Sequence, residues 1–397
     1  MMINRPASPN RFIVSWISDR SSASAGTTRR GTARTRPWLA PSKNFALLLF
    51  AFFGSYFPAY AAPARLVKHS SRHRGAPLVD STEGDIATFD DPIVRQAAIR
   101  GLGRYYGSVV AIDSTNGRIL TIVNQKLAFS AGFKPCSTIK PVVAVAALQE
   151  GFVRRDTRIK VGRRKTLTLT EAMAHSNNAY FEELGRRMGF ETVSSYARTL
   201  GLGELAGYEI PEEQPGIVPE GPPKRGGVAR MSSFGEGIQM TPLQLGALVS
   251  SFANGGTLYY LQYPRTEEEK ENFQPRIKRM LDIQSLLPDV RDGMHAAVLR
   301  GTARRSNMPD SEQASGKTGS CSDSGSRLGW FVSYVDQPDL KIVLVILMRG
   351  HTHAVRGPMA AGIAGRIYHQ LHAEEYYIKQ DTEIVTPEIA ITSAQQQ

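Results

Sequence analysis

The strand-forming stretches of this 397-residue chain lie far apart. Residues 108–123 read SVVAIDSTNGRILTIV, two apolar strands joined at Asn116-Gly117. That pair tolerates the positive φ that a tight hairpin requires. Strand character then returns only over residues 311–348, where WFVSYV (330–335) and KIVLVILM (341–348) flank the turn-like DQPDL. From residue 137 to about 310 the pattern is mainly helical, with loops at 201–230 and 254–275. Residues 91–103 and 358–376 read as two further helices. A lone hairpin is barely stable in water, so strands from both ends of the body are expected to share a sheet. The expected class is α+β: one antiparallel sheet flanked by helices, with an inserted all-α region. No internal repeat is visible, and 41% apolar residues are enough for a substantial core.

The net charge of +12 invites a nucleic-acid reading until it is mapped. Residues 1–75 hold ten Arg and two Lys against one acid, Asp19, and so carry eleven of those charges. The nearly neutral remainder argues against a nucleic-acid partner. Residues 45–57, FALLLFAFFGSYF, form an uncharged apolar core behind several arginines, and Ala59-Tyr60-Ala61 follows in a small-x-small pattern. Residues 1–62 therefore read as a signal peptide, or as a membrane anchor, and the body as exported. Residues 63–85 read as a linker, 86–376 as the folded domain and 377–397 as a disordered tail. Only two cysteines occur, Cys136 and Cys321, and export permits a disulfide.

Three short motifs carry chemistry. Residues 133–141 read FKPCSTIKP, with Ser137 three positions before Lys140. Roughly one or two such spacings arise by chance in a chain this long. The neighbours sharpen the signal. Pro141 is tolerated only in the first turn of a helix, so the helix carrying VVAVAALQ is expected to begin near Ser137. Lys140 then shares a face with Ser137. A serine hydroxyl needs a base within reach, and a lysine serves if its pKa is lowered. Backbone amides at the helix start could hold an oxyanion. The second motif is HSNNAYF (175–181), with Ser176 and Asn178 inside a helix-like stretch. Their poor helix propensity predicts a break, or else a plain surface turn. The third is SGKTGS (315–320). A phosphate loop fails here, because Ser311 stands where a glycine is required and strand character follows. A turn between strands and a Lys-Thr-Gly strand lining an acyl-transfer cleft both remain open.

Ser-x-x-Lys, Ser-x-Asn and Lys-Thr-Gly, in that order at 137, 176 and 317, resemble the motif set of penicillin-binding proteins and serine β-lactamases. GSVVAIDSTNGRIL (107–120), GEGIQMTPLQLGALVSSFANGG (235–256) and LGWFVSYV (328–335) extend the resemblance over roughly residues 100–375. It implies a β-lactamase/transpeptidase-like fold and a peptidoglycan D,D-transpeptidase. In that reading Ser137 attacks a peptide ending in D-Ala-D-Ala and Lys140 takes its proton. Ser176 relays protons to the leaving amine, and Asn178 binds Lys140 or the substrate. Lys317 supports Ser176, and Thr318 binds the substrate carboxylate. Gly319 allows close backbone approach, and the amides of Ser137 and Ser320 form the oxyanion hole. Stem peptides and β-lactams are the implied ligands, with no cofactor and no metal. His351 and His353 lack a third ligand and read as solvated loop residues.

The resemblance leaves transfer and hydrolysis open, so a carboxypeptidase, a β-lactamase or a non-catalytic sensing module are alternatives. Glu212 and Glu213 lack the following asparagine of a class A β-lactamase loop, and Asn178 replaces the apolar residue of class D. No glycosyltransferase region fits between leader and body, so a separate membrane glycan polymerase is the expected partner. Cys136 stands where the family commonly has glycine, and Cys321 follows the third motif, so both fall beside the implied cleft. They form a disulfide there, or two thiols that point apart.

Overall fold

The computed structural model describes residues 80–309, 314–335 and 341–376. The leader, most of the stretch read as linker, the DQPDL turn and the tail from 377 lie outside the described residues. Nine strands are described: β1 (Gly107–Asp113), β2 (Arg118–Val123), β3 (Ile159–Gly162), β4 (Lys165–Leu167), β5 (Thr257–Tyr259), β6 (Ile277–Met280), β7 (Ala314–Asp323), β8 (Ser326–Val335) and β9 (Ile342–Gly350). Five of them form one sheet in the order β2-β1-β9-β8-β7, and β3-β4 and β5-β6 are separate two-stranded pairs. Every pairing in the large sheet is antiparallel. The two ends of the body thus meet at β1 and β9, where Val110 faces Val345 and Ile112 faces Val343.

The hairpin between β1 and β2 turns through residues 114–117 rather than through Asn116-Gly117 alone. Asp113 holds this four-residue turn, its carboxylate accepting from the Thr115 amide (2.9 Å) and from Asn116 Nδ2 (2.6 Å). Gly117 sits at φ 82°, and a Cβ there would lie 2.8 Å from the Tyr260 carbonyl. Conformation and packing both demand glycine at that position.

Side chains alternate between the two sheet faces. Val110, Ile112, Val343, Val345 and Leu347 join the core beneath the inserted helices. Val109, Ala111, Leu344, Ile346 and Met348 join a second core under helices Pro92–Leu102 and Gly357–Ala373. Because both faces are covered, the central strand β9 is apolar and buried continuously from Ile342 to Met348 instead of alternating. Asp91 caps the first of these helices by accepting from the amides of Ile93 and Val94. Ser81 and Asp85 already contact the body: Ser81 Oγ donates to the Tyr105 carbonyl, and Asp85 accepts from the Asn124 and Gln125 amides and from Arg95. Among the described residues no helix is long and apolar enough to cross a membrane.

Candidate active site

Three elements bring the motif residues together. The first is the turn that carries Ser137. Cys136–Ile139 forms a 3-10 turn, and the α-helix proper runs Lys140–Gln149 with Pro141 in its first turn. The expected helix onset near Ser137 is therefore a tighter turn feeding the helix. Residues three apart eclipse in such a turn, which stacks Lys140 directly on Ser137. The turn is tied from below: Thr138 Oγ1 donates to the Pro135 carbonyl (2.6 Å), and Trp330 Nε1 donates to the Lys134 carbonyl (3.1 Å).

The second element is a break between helices Leu169–Ala174 and Asn178–Thr199. Ser176 adopts φ 53° there, and Asn177 caps the new helix through the Tyr180 amide. The poor propensity of Ser-Asn-Asn thus produces a break that presents Ser176 and Asn178 side by side. The third element is β7, an edge strand of the large sheet, which carries Lys317 to Ser320.

Lys140 is fully buried. Its Nζ lies 2.5 Å from Ser137 Oγ, and it donates to Asn178 Oδ1 (2.9 Å) and to the Ser233 carbonyl (2.8 Å). The rings of Phe181 and Phe234 lie 5.6 Å and 5.8 Å away. Among the described residues no carboxylate bonds to this amine. Desolvation by burial, then the charge of Lys317, push the Lys140 pKa well below the ordinary lysine range, and Glu182 opposes this weakly. Lys317 is also fully buried, and desolvation lowers its pKa to about 7. Its Nζ donates to Ser176 Oγ (2.9 Å) and to the Thr318 carbonyl (2.8 Å). Thr318 Oγ1 stands 2.6 Å from Thr302 Oγ1, and Ser320 Oγ accepts from the Gly357 amide (2.7 Å). Two depressed amines, each touching a serine hydroxyl, are a setting in which protons can pass at neutral pH.

Cys136 and Cys321 are joined in a disulfide, with Cα atoms 5.6 Å apart. It ties the Ser137 turn to β7. Cys136 sits at φ 53°, a left-handed conformation that costs a side-chain-bearing residue about 1–2 kcal/mol. Packing within the protein also constrains Gly319. A Cβ there would lie 3.0 Å from the Pro135 carbonyl and 3.2 Å from Thr138 Cγ2. The missing side chain lets β7 approach the nucleophile turn closely.

Several contributors have no motif of their own. The Ser233 carbonyl, the two aromatic rings and Thr302 became visible only through packing. The run RMSSFGEG, small polar residues before two glycines, was the sole sequence hint for Ser233. Glu212 pairs with Arg265 (2.7 Å), and buried Glu213 accepts from the Ala206 and Gly207 amides, so neither bonds to the Ser137–Lys140 group. His351 and His353 are exposed in the turn after β9. Among the described residues no group of three or more His, Cys, Asp or Glu side chains could hold a metal ion.

The chain matches the family model for the penicillin binding protein transpeptidase domain over residues 107–369. The chain belongs to that family. The matched stretch contains all three motifs, at 137–140, 176–178 and 317–319. Among curated relatives, Stage V sporulation protein D of Bacillus subtilis is 27% identical over 281 residues, covering 62% of this chain and 43% of that protein. The peptidoglycan D,D-transpeptidase FtsI of Escherichia coli K12 is 28% identical over 182 residues, covering 38% of this chain and 31% of that protein. The chain spans less than half the length of these relatives. The transpeptidase domain of Burkholderia pseudomallei penicillin-binding protein 3 superposes with a TM-score of 0.61 at 20% identity, covering 75% of this chain and 96% of that one. In a complex of penicillin-binding protein PBP2 with MreC from Helicobacter pylori the score is 0.60 at 21% identity, covering 71% of this chain and 63% of that one. At these identities the likeness is one of fold.

Proposed function

We propose that this chain is an exported peptidoglycan D,D-transpeptidase that works through a Ser137 acyl-enzyme. One observation carries the reading: a fully buried lysine amine, bonded to no carboxylate among the described residues, lies 2.5 Å from a serine oxygen. Lys140 takes the Ser137 proton as Oγ attacks the penultimate D-Ala carbonyl of a stem peptide. The amides of Ser137 and Ser320 hold the developing oxyanion. Ser176, polarised by Lys317, passes a proton to the departing D-Ala amine. Asn178 fixes the Lys140 amine, and Thr318 receives the terminal carboxylate. The open edge of β7 can pair with an extended peptide. A second strand's amine then resolves the ester.

Glycan polymerisation falls to a separate membrane enzyme in this reading. That a penicillin-binding protein of this fold forms a complex with MreC supports docking to other proteins. Covalent labelling of the full chain by a fluorescent penicillin, with Ser137→Ala alongside, is the test. Stable label lost in the variant is the expected result. Label that decays within seconds means a β-lactamase, and absence of label from folded protein overturns acyl transfer altogether.

A further inference from the structure

Next to Thr318 lies a cavity of about 340 Å3 lined by His175, Arg300, Thr302, Arg304, Arg305 and Arg356. It is built onto the second and third motifs. The Thr302 amide donates to the Ala174 carbonyl (3.0 Å), two residues before Ser176, and its hydroxyl touches Thr318. Arg356 directly precedes Gly357, whose amide holds Ser320. Among the described residues none of the four arginine side chains has an ion pair or a hydrogen bond. Some arginines elsewhere are paired, as Arg95 is with Asp85 and Asp90, and Arg265 with Glu212, but here four without partners among the described residues line one cavity. Four guanidiniums around one cavity repel each other, and an arriving anion relieves that repulsion.

We infer that this cavity is the acceptor-side subsite, and that it takes a carboxylate carried by the acceptor strand beyond the one seated at Thr318. The inference rests on the proposed acyl transfer and deepens it. Making and breaking the amide pass through the same tetrahedral species. The acceptor amine must therefore enter where the leaving amine departed, on the Thr318 side of Ser137. Its nitrogen forms a bond to the acyl carbon, the bond from that carbon to Ser137 Oγ breaks, and the amine's proton returns to Ser137 Oγ through Ser176 and Lys140. The chain that carries the amine then extends past Thr318 into the arginines. One carboxylate at Thr318 leaves four positive charges unmatched, so the acceptor that fits bears a further carboxylate near its reactive amine.

The test offers D-glutamate and D-glutamine as competing acceptors to the full chain, with a peptide ending in D-Ala-D-Ala as donor. The two acceptors share the α-carboxylate and differ in the side-chain charge alone. The product ratio is read by mass spectrometry at low and high salt. The expected result is a preference for D-glutamate of about tenfold or more at low salt, the size of one charge-assisted hydrogen bond. It should shrink at high salt, and in Arg304→Gln/Arg305→Gln/Arg356→Gln it should fall below about twofold. Equal use of both acceptors by the wild type at low salt overturns the inference, and so does a preference that survives the triple variant. The salt series needs no variant and decides the matter if the triple variant does not fold. Absence of any penicilloyl-enzyme is a separate result, which removes the acyl-transfer reading and this inference with it.

Discussion

Lys140 and Lys317 are buried lysines whose charged form an ordinary core would not tolerate. Each is held by neutral acceptors, so burial favours the free amine. The acylation rate by a penicillin should therefore rise with pH through an inflection below the ordinary lysine range. Lys140→Arg, whose guanidinium stays protonated, should lose about 10²–10⁴-fold in that rate. A stopped-flow pH profile checks both, and a flat profile removes Lys140 as the base. Stability follows the same chemistry with a definite sign. As pH falls from about 10.5 towards about 7, the unfolded Lys317 takes up a proton and the folded one does not. Stability is lost across that window, and the penalty is constant below it. Lys317→Met should thus be more stable than the wild type at pH 7, by roughly 1–4 kcal/mol, with the gap closing towards pH 11. Urea unfolding at the two pH values measures it.

At the scale of elements, the site depends on one turn docked against one edge strand. Gly319 allows the approach and the disulfide fastens it. Cutting the disulfide should cost about 2–4 kcal/mol. The replacement residue then matters, because Cys136 is left-handed. Cys136→Gly/Cys321→Ser should be more stable than Cys136→Ala/Cys321→Ser by about 1 kcal/mol, since only glycine adopts that conformation freely. Denaturant midpoints under non-reducing conditions check the ranking, and equal midpoints argue against backbone strain at residue 136. Gly319→Ala should push the Ser137 turn away from β7 and slow penicillin acylation at least tenfold, a loss worth about 1.4 kcal/mol in the barrier. The elements themselves were readable from sequence: the hairpin, the closing helix and the break at Ser176. The 3-10 entry to the Lys140 helix was not, because proline and serine suit the first turn of either kind of helix.

In the whole molecule, β9 lies between β1 and β8, so the sheet closes only when the last third of the body is present. A chain ending at residue 340 should lack cooperative unfolding, because β1 and β8 lose their shared partner and helix Gly357–Ala373 no longer covers the second core. Circular dichroism with a thermal melt would show this as a broad, non-sigmoidal change. The long apolar strands at the two ends of the body were enough to indicate the large sheet, since a lone hairpin must find partners; the pairs β3-β4 and β5-β6 within the region read as all-α were not anticipated, because strands of three or four residues leave little periodicity. The order and spacing of the three motifs likewise picked out the serines, lysines and asparagine that the fold brings within hydrogen-bond reach, because each motif is a local string with a local conformation. Tertiary structure alone decided the rest. It selected the Ser233 carbonyl and two aromatic rings to surround Lys140, placed Thr302 against Thr318, joined the two cysteines and gathered four arginines around one cavity. Those contacts link residues tens to hundreds of positions apart. No local periodicity records them, because they arise only from which element packs against which.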